Sequence, residues 1–162
     1  MKRIIIALTL FTLMFHSDSF AQRNRVTPLG KWKLVSVKIE GSDETAFLSA
    51  TPVFEDATSV CYTGSEWSLA PKDEGMYTVQ SNDDCKTGRR KINWRMMGLS
   101  GSNYFQFQRF DAVDGVPADK YTVYTMQLTS LTEDAMVMKY PVLYNGKNST
   151  FVFNFSRPDR KW

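Results

Sequence analysis

The residue types that perform most catalysis are scarce in this sequence. Its one histidine, His16, falls in an N-terminal stretch that reads as an export signal, so the mature chain is expected to carry no imidazole. That removes Ser-His-Asp and Cys-His nucleophile arrangements and every zinc site built on histidine. Paired carboxylates remain as a route to hydrolysis. The acids, however, fall in Asp43-Glu44, Asp73-Glu74, Asp83-Asp84 and Glu133-Asp134, which read as wet turns, and none has the spacing of a calcium loop. No catalytic residue, metal site or cofactor is expected, and the chain reads as a non-enzyme. Cys61 and Cys85 are the remaining reactive groups. An even count in an exported chain argues for a bridge, with two free thiols as the alternative. The bridge would close a loop of about 25 residues, worth roughly 3 kcal/mol in the chain-entropy model.

Export itself is read from the first 21 residues. Lys2 and Arg3 precede an apolar run of 12 residues, 4–15, and a polar stretch ends in Ser19-Phe20-Ala21, the pattern of a cleaved secretory signal. The run is too short for a membrane span, which needs roughly 20 apolar residues. Gln22 stands where a bacterial lipoprotein would have its acylated cysteine, so the product is expected to be periplasmic or secreted and not a lipoprotein. The expected division is a signal peptide at 1–21, a tail at 22–27, one domain at 28–157 and a second tail at 158–162. Losing Lys2, Arg3 and Asp18 takes the chain from 20 basic and 17 acidic residues to a net charge of +2. Such a balance gives no strong pull towards nucleic acid or an anionic membrane, and no membrane insertion of the mature chain is expected. Arg89, Arg90 and Lys91, and Arg23 and Arg25 in the tail, read as solvated surface.

The elements that would carry any site are strands. Runs at 31–39, 64–70, 76–81, 90–97, 103–110, 121–130, 135–144 and 150–157 alternate or cluster apolar residues between turn signals. Hairpin arithmetic tests their pairing. A turn at 71–75 sets Trp67 opposite Val79 and Leu69 opposite Tyr77, and brings Cys61 opposite Cys85 at the open end of the strand pair. A turn at 98–101 sets Trp94 opposite Phe105 and Ile92 opposite Phe107. The turn at Asn145-Gly146 sets Phe151, Phe153 and Phe155 opposite Tyr140, Met138 and Met136, while the turn at 132–134 sets Leu128 opposite Met138. One apolar face thus continues across successive hairpins. The expected fold is all-β, an eight-stranded antiparallel up-and-down barrel with one disulfide. Short connections favour it over a two-layer sandwich. Pro141 is expected to mark a bulge or an edge-like irregularity. In the long connection 40–60, Thr51 and Pro52 are expected to cap and begin a helical turn, which either covers a barrel opening or crosses the surface.

Gly30-Lys31-Trp32 after Pro28 resembles the G-x-W signature that opens lipocalin sequences. The wider pattern of Cys61 to Trp67, Gly75-Met76-Tyr77, Cys85, Lys91 to Trp94 and Tyr104 to Phe107, with Phe153 to Arg157 at the end, is similar to the exported lipocalin-like family of bacterial envelopes. The resemblance implies that Trp32 closes one end of the barrel and that Arg157 packs over it, a cation–π contact. Thr122-Val123-Tyr124 lacks the acid of the lipocalin T-D-Y signature.

The expected function is extracytoplasmic, non-catalytic binding or carriage of a small hydrophobic molecule, lipid-like or aromatic. Its pocket candidates are Trp94, Phe105, Phe107, Met126, Leu128, Met138 and Phe153, with Arg95 and Tyr104 on the opposite face. The same residues equally suit a filled core. The alternative is therefore an envelope-associated interaction or structural module, which exposed Tyr62, Tyr121 and Trp162 on one surface would favour.

Overall fold

A computed structural model describes residues 26–41, 52–80, 85, 87–99, 101–109, 122–144 and 146–158. The export signal, Arg23, Arg25, Asp43-Glu44, the expected cap Thr51, Asp83-Asp84, Tyr121 and Trp162 lie outside the described residues.

Eight strands close into an antiparallel barrel. They are β1 (Gly30–Glu40), β4 (Glu66–Leu69), β5 (Glu74–Val79), β6 (Gly88–Leu99), β7 (Ser102–Arg109), β8 (Tyr124–Leu131), β9 (Ala135–Tyr144) and β10 (Lys147–Ser156). Each of β4 to β10 pairs with the next, and β1 closes the ring between β10 and β4. Two further strands, β2 (Pro52–Val53) and β3 (Ala57–Thr58), pair only with each other, and a single helical turn, α1 (Ser59–Tyr62), follows them.

Alternation builds the interior as the side-chain period of a strand requires. Trp67 and Leu69, Arg90, Ile92 and Trp94, Phe105 and Phe107, and Phe151, Phe153 and Phe155 are buried, while their sequence neighbours on most of these strands are exposed or half-buried. Bulges between Leu34 and Ser36 and between Leu128 and Ser130 each insert a residue and change the parity. In β1 the inward set accordingly passes from Trp32 and Leu34 to Val37 and Ile39.

Four hairpins test the register. The β9–β10 pairing is as expected, with Phe153 opposite Met138, and so is Leu128 opposite Met138. The other two hairpins are tighter. Trp67 faces Tyr77 and Leu69 faces Gly75, because Lys72 and Asp73 adopt φ of 65° and centre the turn one residue earlier. Trp94 faces Phe107 and Ile92 faces Arg109, because pairing continues to Leu99 opposite Ser102 and Gly98 stays in the strand. Both shifts are by two residues, so every side chain keeps its face. Pro141 causes no shift in the β9–β10 ladder, and the bulge lies in β8 instead. It sits beyond Lys139, where the pairing of β9 with β8 ends, which is the edge-like position a missing N–H tolerates.

The Cys61–Cys85 bridge is formed, with the Cα atoms 5.6 Å apart. It does not join the ends of a strand pair: Cys61 belongs to α1, and the bridge ties that turn to the segment after β5. The helical turn also begins later than expected, with Thr58 at its N-cap. Pro52 and Val53 are extended instead, because the chain reverses at Phe54 and Glu55, with φ of 54° and 51°.

At one end of the barrel Arg157 packs over Trp32, the contact the resemblance implied. The Arg157 guanidinium lies 4.3 Å from the ring centre of Trp32, whose indole N–H donates to the Pro28 carbonyl at 2.7 Å. Gly30 makes room for this contact. Its φ is +115°, and a Cβ there would stand 2.7 Å from Arg157 Nη1.

Candidate functional site

At the other end, the barrel is filled by its own chain. The reversal between β2 and β3 carries Phe54 into the interior, where it is 1% exposed. Its ring stacks on Phe153 at 5.6 Å and meets Phe107 at 4.9 Å, Tyr124 at 5.3 Å, Tyr140 at 5.1 Å, Tyr62 at 5.6 Å and Trp67 at 6.4 Å. Edge-to-face and offset contacts at these separations are favourable beyond the area buried. Tyr62, from α1, is fully buried against the same ring, so it offers no exposed aromatic for a surface partner.

Two residues later, Asp56 turns its carboxylate into the wall on the mouth side of Phe54, with a side chain 1% exposed. Arg90 on β6 donates from Nε to Oδ2 at 3.1 Å and from Nη2 to Oδ1 at 3.1 Å. The hydroxyls of Tyr77 and Tyr62 donate to Oδ2 at 2.9 and 3.3 Å. Arg109, at the end of β7, brings Nη1 to 3.7 Å from Oδ1, an ion-pair distance too long for a hydrogen bond. Burial, with added repulsion from Asp56, holds the Tyr62 and Tyr77 hydroxyls protonated well above their ordinary pKa near 10. They therefore stay donors. Arg109 is only 4% exposed, and its Nε and Nη1 find no hydrogen-bond acceptor among the described residues.

Among the described residues the cluster thus sets two buried guanidiniums against one carboxylate. Desolvated charges are kept only when paired and hydrogen-bonded. Here the pairing is generous for Asp56 and incomplete for Arg109.

The seven sequence-derived pocket residues all face inwards and follow one another as cross-strand neighbours from β6 to β10, with Trp94 opposite Phe107, Phe105 opposite Met126, and Met138 opposite both Leu128 and Phe153. Phe107 and Phe153 touch Phe54. Trp94 and Phe105 stack on each other at 5.6 Å, and Met126 and Met138 are buried in the same core. Leu128 is half-buried and lines, with Met96, Leu131 and Pro28, an open cleft of about 680 Å³ at the far rim. Arg95 is exposed and donates to Gln106 Oε1 on the outer face, as expected. Asp73, Glu74, Glu133 and Asp134 are exposed.

Sequence reasoning missed the charged half of the site. Arg89 and Lys91 are exposed, but Arg90 between them is buried, which corrects its reading as part of a solvated cluster. Parity was the available signal: Arg90 shares the face of Ile92 and Trp94, and Arg109 that of Phe105 and Phe107. Phe54 and Asp56 had no such signal, because they lie in a connection whose path local pattern does not set.

Among the described residues no group of three or more His, Cys, Asp or Glu side chains is placed to hold a metal ion, and no helix is long and apolar enough to cross a membrane. The fold and site define a small closed antiparallel barrel whose mouth is plugged from within by an aromatic ring and a carboxylate. No family model, curated protein or solved structure matches the chain.

Proposed function

We propose that the protein is an exported, periplasmic or secreted, non-catalytic barrel that binds or carries a small hydrophobic molecule. One observation carries this reading. The eight barrel strands by themselves enclose room for an aromatic ring and a charged group, and that room is filled by a hairpin which pairs with none of them. A barrel of eight strands either packs its interior with wall side chains or holds one small guest. In this chain the guest's place is taken by a separate segment. The resemblance to exported lipocalin-like proteins and the scarcity of catalytic residues support the same reading.

The completeness of Phe54's packing favours a second reading, an envelope-associated interaction or structural module with a permanently filled core. Solvent extraction of the purified native protein, with displacement of an apolar dye, separates the two. Co-extraction of a stoichiometric apolar compound, or saturable dye binding, is the expected result. Absence of both leaves the filled-core module.

A further inference from the structure

We propose that the ligand is an aromatic carboxylate, and that the β2–β3 hairpin is its resident stand-in, displaced when the ligand binds. This rests on the barrel being a binding protein and names what it binds. Asp56 occupies the head site and Phe54 the body site. The head site offers what a carboxylate requires: the Arg90 fork, two tyrosine hydroxyls held protonated, and the Arg109 guanidinium. A planar guanidinium binds a free carboxylate through two parallel N–H bonds. Asp56, fixed to its backbone, reaches Arg109 only at 3.7 Å and leaves Nε and Nη1 of that side chain without acceptors among the described residues, at 4% exposure. A ligand carboxylate free to settle between both arginines meets these donors as well. The body site is equally specific, since six aromatic rings surround Phe54 and one of them stacks on it at 20°.

The hairpin is built to leave. Its own ladder consists of two residue pairs, Pro52 with Thr58 and Val53 with Ala57. Phe54 and Glu55 both sit in the left-handed region that non-glycine residues occupy at a cost. The bond from Cys61 to Cys85 holds α1 immediately after it, so displacement moves the hairpin without unthreading the barrel.

The test uses the oxidised mature chain and two matched fluorescent probes, 1-naphthaleneacetate and neutral 1-naphthaleneacetamide. The carboxylate is expected to bind at least tenfold more tightly than the amide. Arg109→Met is expected to bring it to the amide's level, and Phe54→Ala, which removes the resident ring, to tighten both probes at least fivefold. Arg109→Lys, which keeps the charge but loses the fork, serves if the methionine variant does not fold, and should narrow the preference. Equal affinity for the two probes, or a preference that survives both Arg109 variants, overturns the carboxylate assignment while the binding reading stands. Tightening absent in a folded Phe54→Ala protein overturns displacement. If neither probe binds wild type or Phe54→Ala, this proposal fails, and the binding reading stands or falls on the extraction and dye displacement.

Discussion

Replacing Phe54 with alanine tests whether the plug fills the barrel in solution. An aromatic side chain buries on the order of 200 Å². At roughly 25 cal/mol per Å² of apolar surface, full burial is worth up to about 5 kcal/mol. Phe54 is 1% exposed and touches six rings, so nearly all of that area counts. Those rings stand on β4, β7, β8, β9, β10 and α1 of a closed barrel, and the structure around a new void relaxes only in part. The cost therefore belongs to the usual range for Phe→Ala in a core, about 3–5 kcal/mol. Urea unfolding followed by tryptophan fluorescence measures it, since Trp67 lies 6.4 Å from the Phe54 ring and reports on the same space. The midpoint should fall with little change in slope. A loss below about 1 kcal/mol, with wild-type fluorescence, would show that the ring does not reside among these aromatics, and the account of a plugged mouth would be wrong.

Asp56→Asn removes the carboxylate that the Arg90 fork grips and Arg109 faces, and should cost about 3–5 kcal/mol, whereas Asp56→Asn combined with Arg90→Met should recover part of it; equal losses in the single and double variants would argue against a coupled pair. Raising the pH has a sign that follows from Tyr62 and Tyr77. Below pH 10 both are protonated whether the chain is folded or not. Above it the unfolded chain sheds protons that the folded one keeps, so stability falls by roughly 1.4 kcal/mol per pH unit for each tyrosine. Urea midpoints between about pH 9 and 11.5 should drop less steeply in Tyr62→Phe and Tyr77→Phe proteins, and an unchanged slope in the double variant would refute this. Removing the disulfide as Cys61→Ala with Cys85→Ala, 24 residues apart, should cost about 3 kcal/mol; thermal unfolding checks it, and an unaltered midpoint would mean the bridge constrains little of the unfolded chain.

What the sequence determined by itself was the wall of the barrel. A side-chain period of two is a local property, so the inward faces of the strands survive even where a turn shifts the register by two residues, as it does between Trp67 and Tyr77 and between Trp94 and Phe107. The oxidised cysteine pair was legible from an even cysteine count in a chain read as exported, whereas the contact of Trp32 with Arg157 was named only by the family resemblance. Only the tertiary structure decided what stands inside the wall. Phe54 and Asp56 enter through a connection without periodicity, and their burial is favoured by rings and charges contributed from strands distant in sequence. Arg90 shows both sides of this division. Its parity pointed inwards, but a buried guanidinium needs a partner, and Asp56, 34 residues earlier, comes to meet it only in the folded chain.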